Sequence, residues 1–402
     1  MAIELEQALE LIRKNIIPLN ETEDINIEHL HGRICARDII SPIDLPPFNR
    51  SPLDGYALLA ADSAGASAQN SVELTVIEDI VAGVWPQKSV TPGTAIRLMT
   101  GSPIPFGADC IIRQEQTEEC ANSIRISKEL TPFENFCKKG EDVPSGALLV
   151  SAGECLSYIH AGVLAGAGIT SVSVYRKPRV LLLETGDELW HPTKGPLPPG
   201  KIYSSNRVLL SARLRELGIE VIPIGPCADS SDDIAQKIKE AQALGDMLIT
   251  TGGVSVGCKD LVPEAVKKAG ADIIFHGINI KPGTPALWAV YGKFPLLCLS
   301  GNPFAAITTM ELLARPALAV MSHNKGLDIS HSEGILVNSF PKPSPGRRFV
   351  RGFVKEGRVR FADGLHSSGS LGSMRGCNCL VDIPAGTGPL NSGDKICYVE
   401  VN

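Results

Sequence analysis

At 402 residues the chain exceeds what one hydrophobic core usually holds, so about two to four domains are expected. Hydrophobic residues make up 44% and charged residues 20%, an ordinary balance for a soluble globular protein. The formal net charge of −6 argues against nucleic acid as the main partner, but it leaves room for a small anionic ligand, because a site depends on local charge.

The opening MAIELEQALELIRKN has no basic leader and no apolar stretch of signal-peptide length. Leu5, Ala8, Leu9, Ile12 and Ile16 recur at helical spacing and predict an amphipathic helix. No run approaches the roughly 18 apolar residues of a membrane span, so no membrane partner is expected. The eleven cysteines form no framework. Cys377 and Cys379 are the only close pair, without the second pair or histidines of a zinc site, so reduced and mostly buried thiols in a cytoplasmic protein are expected.

Residues 1–45 read as a helix followed by mixed extended structure. PPFNRSPLDG (46–55) is a loop, broken by prolines and a glycine. From about residue 71 to about 150 come short β runs, VELTVIEDIVAG, GTAIRLMTG, DCIIRQEQ and SIRISKEL, separated by turns. LSYIHAGVLAGAGIT (156–170) reads as a small-residue helix.

From Pro178 strands and helices alternate: strand 180–183, a helix with Leu210, Leu214 and Leu217 on one face, strand 219–224, helix 232–243 and strand 247–249. A helix near 261–269, strand 273–275, a last strand 296–299 and helix 303–315 complete a three-layer α/β domain with a mostly parallel sheet. The tail from about residue 327 reads as a separate small β domain.

Ligands of open parallel sheets bind beyond the carboxyl ends of the strands. The segments following the predicted strands are ETGDEL (184–189), GPCADSS (225–231), TTGGVSVGCKD (250–260), INIKPGTP (278–285) and LSGNP (299–303), all rich in Gly, Ser, Thr or Pro. They share one edge if the sheet is parallel. Backbone N–H groups at Gly252 and Gly253 and the hydroxyls of Thr250, Thr251 and Ser255 suit an anion. Asp187, Glu188, Asp229 and Asp260 supply hard oxygen ligands of the kind magnesium prefers, and Lys281 suits a phosphoryl or oxyanion charge. Each segment alone also has a structural explanation. Asp187 and Glu188 suit a helix N-cap, GGVSVG a tight turn, Asn302-Pro303 a helix start, and Lys281 a solvated side chain.

Together with PPFNRSPLDGYA (46–57), IRLMTGSPIPFGAD (96–109), KKGEDV (138–143), KPGTP, LSGNPFAA and RRFVRG (347–352), these motifs resemble the MoeA/gephyrin E-domain family across essentially the whole chain and in the family's order. The resemblance implies four domains: a discontinuous elongated base of helix and β structure (1–46 and 146–177), an inserted β domain (47–145), an α/β molybdopterin-binding domain (178–326) and a C-terminal β domain (327–402). It further implies a homodimer with an active cleft built from both subunits, in the cytoplasm, with other cofactor-biosynthesis proteins and recipient molybdoenzymes as further partners. The implied reaction is insertion of molybdate into adenylylated molybdopterin, with release of AMP that depends on a divalent cation, usually magnesium.

Carried across motif by motif, Asp54, Thr100 and Asp142 belong to the site from outside the α/β domain. Glu188, Asp229, Asp260 and Lys281 belong to it from within, with Ser300 and Pro303 lining the molybdate region and Arg351 contacting an anion. Without the resemblance, Asp54-Gly55 is a turn, Thr100-Gly101 a strand end, Asp142 a loop acid and Arg351 part of a basic rim with Arg347 and Arg348. The chain departs from the family pattern at Cys137, Ser204, Ser230, Cys258, Gly277 and Ser300, changes that weaken or retune metal and oxyanion binding. They keep open a tungstate-preferring member, a catalytically weak molybdopterin-binding carrier or regulator, and a scaffold. The adenylylating step is disfavoured by the extra domains and SPLDGYA.

Overall fold

The computed structural model describes residues 2–254, 261–364 and 366–401. The chain forms two compact units, Asp24–Val174 and the pair of segments Met1–Glu23 and Tyr175–Asn402.

In the first of these, a six-stranded mixed sheet runs in the order Cys110–Arg113, Gly55–Leu58, Thr94–Leu98, Val72–Ile80, Ser123–Ile126, Thr117–Glu119. Side chains alternate between its faces. Tyr56, Leu58, Ala95 and Ile112 fill one core, while Ala57, Ile96, Leu98 and Ile111 fill another. Both faces are therefore covered. A side chain at Gly55 would place its Cβ 2.1 Å from the Ile112 carbonyl oxygen, so only glycine lets SPLDG enter this sheet. A separate small core of Leu30, Cys35, Val150, Leu156, Leu164, Val172 and Val174 gathers around helix Tyr158–Gly166.

In the second unit the central sheet has the order Glu220–Cys227, Arg179–Thr185, Met247–Thr251, Phe294–Leu299, Leu287–Tyr291, Asp272–His276. The first four strands are mutually parallel. Val180 and Leu182 pack into one helical layer, Leu181 and Leu183 into the other, which makes the three layers expected from the alternating pattern. The amphipathic N-terminal helix Leu5–Asn15 buries Leu5, Ala8, Leu9 and Ile12, as its spacing predicts.

Strand Leu287–Tyr291 is absent from the sequence reading, which had only the strand at 296–299 in this region. It forms a tight antiparallel hairpin with Phe294–Leu299 across Gly292 and Lys293. The run ALWAVYGKFPLL has a single turn signal, so its apolar residues give no period by which to divide it. Asp272–His276 pairs antiparallel to that added strand. It therefore points the same way as the four parallel strands.

Helix 303–315 of the sequence reading runs on to Met321, with a wide π turn at Met310–Ala314. Among the described residues, Pro303–Met321 is the one helix long and apolar enough to cross a membrane, and 89% of its apolar stretch is buried in the protein. The wide turn carries Glu311, which is 2% exposed. Its carboxylate accepts from Arg213 Nε at 2.7 Å and Arg315 Nη1 at 3.0 Å. Arg315 also donates to the carbonyls of Leu327 (3.1 Å) and Glu400 (2.9 Å), tying this helix to the final β domain.

That domain is a closed five-stranded barrel of His331–Leu336, Arg358–Phe361, Arg348–Lys355, Cys379–Ile383 and Lys395–Glu400. Every described cysteine is a free thiol.

Removing Glu311 leaves the buried Arg315 guanidinium without its counter-charge and leaves Arg213 with the exposed Glu216 as its carboxylate partner. Glu311→Ala should cost about 3–5 kcal/mol of stability, measured as a lower denaturant midpoint at unchanged slope.

Candidate functional site

Five strands end on one line, so the segments following Thr185, Cys227, Thr251, His276 and Leu299 leave from the same edge of the sheet. The convergence expected from the sequence is present. Its charge is ordered along that edge. The acids 187, 188 and 229 follow the first two strands, the glycine turn follows the third, and Lys281 and Ser300 follow strands on the far side.

At the acidic end, the Asp187 N–H donates to Asp229 Oδ2 at 3.3 Å, and the Asp229 N–H donates to Asp187 Oδ1 at 3.4 Å. This reciprocal pairing holds two exposed carboxylates beside one another. Glu188 folds back over Gly186, where an added Cβ would lie 2.8 Å from both its oxygens. Behind them Glu184 is buried and accepts from the Ser204 hydroxyl and from the Arg207 N–H at 3.1 Å, with Arg207 Nε 3.3 Å away. Glu184 opens ETGDEL, but nothing in its spacing distinguishes a buried acid from an exposed one, and Arg207 falls in none of the sequence motifs. Among the described residues no group of three ligating side chains is preassembled. Ser255, Cys258 and Asp260 lie outside the described residues.

At the centre, Gly252 and Gly253 have φ of +102° and +59°. A Cβ at Gly252 would sit 2.3 Å from the Thr185 carbonyl oxygen, so the turn passes directly over the neighbouring strand end. The Gly252 N–H is taken by the Leu299 carbonyl at 3.0 Å. Its glycine thus serves close approach, and its amide serves the scaffold. Thr251 Oγ1 accepts from Asn206 Nδ2 at 2.8 Å and lies 3.2 Å from the Ser300 carbonyl. Asn206 Nδ2 also donates to the Gly301 carbonyl at 2.8 Å. Thr250 is fully buried, on the opposite face of the strand, in register with Cys298.

At the other end lies a cavity of about 820 Å³. Lys281, Ser300, Lys342, Arg348, His366 and Ser368 are among its lining residues, and among the described residues no carboxylate is. The sheet edge and the barrel build it jointly. The Lys281 N–H donates to the Arg347 carbonyl at 2.9 Å, and the Phe349 N–H donates to the Lys281 carbonyl at 2.8 Å. The Phe304 N–H, at the start of the helix that Asn302 and Pro303 open, donates to the Ser368 carbonyl at 2.9 Å.

Arg351 is buried behind this wall. Its guanidinium lies 3.8 Å over the Phe304 ring and donates to the carbonyls of Ser367 and Ser370, both at 2.6 Å. Lys342 and His366 escaped the sequence reading. Their only signal is a basic and hydroxyl-rich composition around PKPSPGRR and HSSGS.

In the other unit, Asp54 and Thr100 come together. Asp54 Oδ1 accepts from the Thr100 hydroxyl at 2.7 Å and from its N–H at 2.6 Å. These bonds, the hydroxyl's foremost, hold the Asp54 carboxyl below the usual aspartate value. Asp142 is exposed in a loop whose backbone pairs with the Leu45 carbonyl at 3.1 Å. Nearby, the Cys137 thiol lies 2.8 Å from Glu141 Oε1, and burial raises its pKa.

Three family models tile the chain. "MoeA N-terminal region (domain I and II)" matches residues 3–168, "Probable molybdopterin binding domain" residues 182–320, and "MoeA C-terminal region (domain IV)" residues 333–401. The molybdopterin molybdenumtransferase of Bacillus subtilis is 37% identical over 383 residues, 94% of this chain and 89% of its own length. The chain belongs to the MoeA family of molybdopterin molybdenumtransferases.

The molybdopterin molybdenumtransferase of Staphylococcus epidermidis is 34% identical over 98% of this chain and 94% of its own. A crystal structure of the MoeA molybdopterin biosynthesis protein of Pyrococcus horikoshii superposes with a TM-score of 0.87 at 32% identity, covering all of both chains. Membership makes this chain an enzyme of molybdenum cofactor biosynthesis, and it accounts for the multidomain α/β plus β fold.

Thr100→Val removes the hydroxyl donor and leaves the N–H. The Asp54 pKa should rise toward the ordinary carboxylate value, so that the carboxylate is lost at higher pH than in the wild type. A carboxyl-carbon NMR titration of both proteins measures this.

Proposed function

We propose that this MoeA-family enzyme inserts molybdate into adenylylated molybdopterin, with release of AMP that depends on a divalent cation. The single observation carrying this reading is the division of charge among the described residues of one sheet edge, acids at one end and, at the other, a cationic cavity that none of the described acids lines. A phosphate anhydride needs a cation held by carboxylates, whereas an oxyanion such as molybdate needs N–H, O–H and cationic donors.

Asp187, Glu188 and Asp229, with Asp260, would hold the cation, and magnesium suits their hard oxygen atoms. The reciprocal pairing of Asp187 and Asp229 fits such a group, because two carboxylates kept side by side gain from a positive charge between them. When bound, the cation offsets negative charge on the phosphates. Gly252 and Gly253, carried by Thr250 and Thr251 and followed by Ser255, form the floor under the pterin phosphate. Lys281 and Ser300 meet the molybdate, with Pro303 starting the helix beside them. Arg351 acts on the anion through the Ser367–Ser373 segment that it holds.

Asp54 and Thr100 orient a reacting group or water, and Asp142 adds a further acid. The working form is a homodimer in the cytoplasm, with an active cleft assembled from both copies and other cofactor-biosynthesis proteins and molybdoenzymes as its partners. The chain divides into a base (1–46 and 146–177), an inserted β domain (47–145), the α/β domain (178–326) and the barrel domain (327–402).

Purified protein supplied with adenylylated molybdopterin, magnesium and molybdate should release AMP, and parallel assays with tungstate report its metal preference. Changes outside a metal's immediate ligands already cost about 10–100-fold. Glu188→Gln and Asp229→Asn should therefore each lower AMP release by about 100-fold or more with unchanged circular dichroism. Binding of the substrate without AMP release would show a carrier instead of an enzyme for this step.

A further inference from the structure

His366 stands in the wall of the cationic cavity with Lys281, Lys342 and Arg348. Its ring meets Phe340 edge-on, with centroids 5.7 Å apart. Nδ1 is buried and has no hydrogen-bond partner among the described residues. An unpaired ring nitrogen is uncommon in a protein interior, and here no fixed partner among the described residues sets the protonation of a ring that lines a cavity.

The charges around this ring come from every neighbouring element. Arg348 and Arg351 lie on the Arg348–Lys355 strand, Lys342 precedes it, Lys281 comes from the sheet edge, and Asp363 is on the histidine's own loop. Burial first, then Arg351, Lys342 and Arg348, hold the imidazole below its usual pKa, and Asp363 opposes them. These groups of the protein favour the neutral ring near neutral pH.

We infer that His366 is a proton-linked ligand of the oxyanion: entry of a dianion into the cavity draws a proton onto the imidazole, which then donates an N–H to an anion oxygen. The inference rests on the reading of this cavity as the oxyanion site. The physical cause is compensation. Two negative charges among the four cations offset the repulsion that disfavours the imidazolium. Linkage fixes the sign. The imidazole pKa is low without the anion and higher with it, so binding is tightest at acidic pH and weakens as pH rises through the bound-state value. The slope approaches about tenfold in affinity per pH unit between the two values.

Calorimetric titration of the full chain with molybdate, in buffers of different ionisation heat from about pH 6 to about pH 8, counts protons taken up on binding. The wild type should take up a fraction of a proton and lose affinity as pH rises. His366→Gln retains a donor but cannot titrate, and it should bind molybdate with no uptake and an affinity independent of pH. Wild-type binding without proton uptake overturns the inference alone, whatever the variant does. Equal uptake by wild type and His366→Gln also overturns it, by assigning the proton to another group. Absence of molybdate binding by the wild type overturns the cavity reading and the inference with it.

Discussion

The site depends on keeping two kinds of charge apart along one line of strand ends. Carboxylates and ammonium or guanidinium groups that touch neutralise one another, and neither is then available to a ligand. Here the acid-bearing segments follow the first two strands and the cationic ones follow the fourth and sixth. Strand spacing places at least two steps, about 10 Å, between Asp187 and Ser300. The intervening position belongs to Gly252 and Gly253, which carry no charge and lie close over Thr185. A ligand with an anhydride at one end and an oxyanion-accepting centre at the other fits such an edge.

The cationic end is not a property of the sheet alone. Lys281 comes from the segment after Asp272–His276, and its backbone is bonded in both directions to the Arg348–Lys355 region of the barrel. Lys342, Arg348, His366 and Ser368 are all contributed by the barrel. Arg351 holds the hydroxyl-rich segment 367–373 by its carbonyls while stacking on Phe304. The Glu311 triad fixes the same helix to the barrel from its middle, through Arg315 and the Glu400 carbonyl. Two buried polar clusters thus hold the wall in place, one at the start of Pro303–Met321 and one midway along it.

Sequence motifs named residues of both units, but their geometry differs in kind. Asp54 meets Thr100 because Gly55 alone can enter the sheet beside the Ile112 carbonyl, which places the acid at the strand's first turn. Thr250 and Thr251 are adjacent in sequence yet serve opposite faces. One lies in register with Cys298 in a helical layer, and the other links Asn206 to the Ser300 carbonyl. The motif spells both hydroxyls alike, and the two-residue period of a strand separates them.

Local pattern by itself determined the helix at 5–15, the alternating strands and helices from residue 179, the Gly252-Gly253 turn and the convergence of five segments on one edge. Each follows from periodicity or from backbone conformations that few residues adopt. The hairpin at 287–299 was not legible, because an apolar run buried on both faces carries no period. The cavity's cationic wall was not legible either. Lys342, Arg348 and His366 stand some 60 residues or more along the chain from Lys281, and ordinary surface residues have the same local signature. Only the packing of the barrel against the sheet edge decided which basic residues share a cavity, which arginine is buried behind it, and which imidazole nitrogen has no partner among the described residues. Such choices rest on distances between remote segments, and sequence spacing does not encode them.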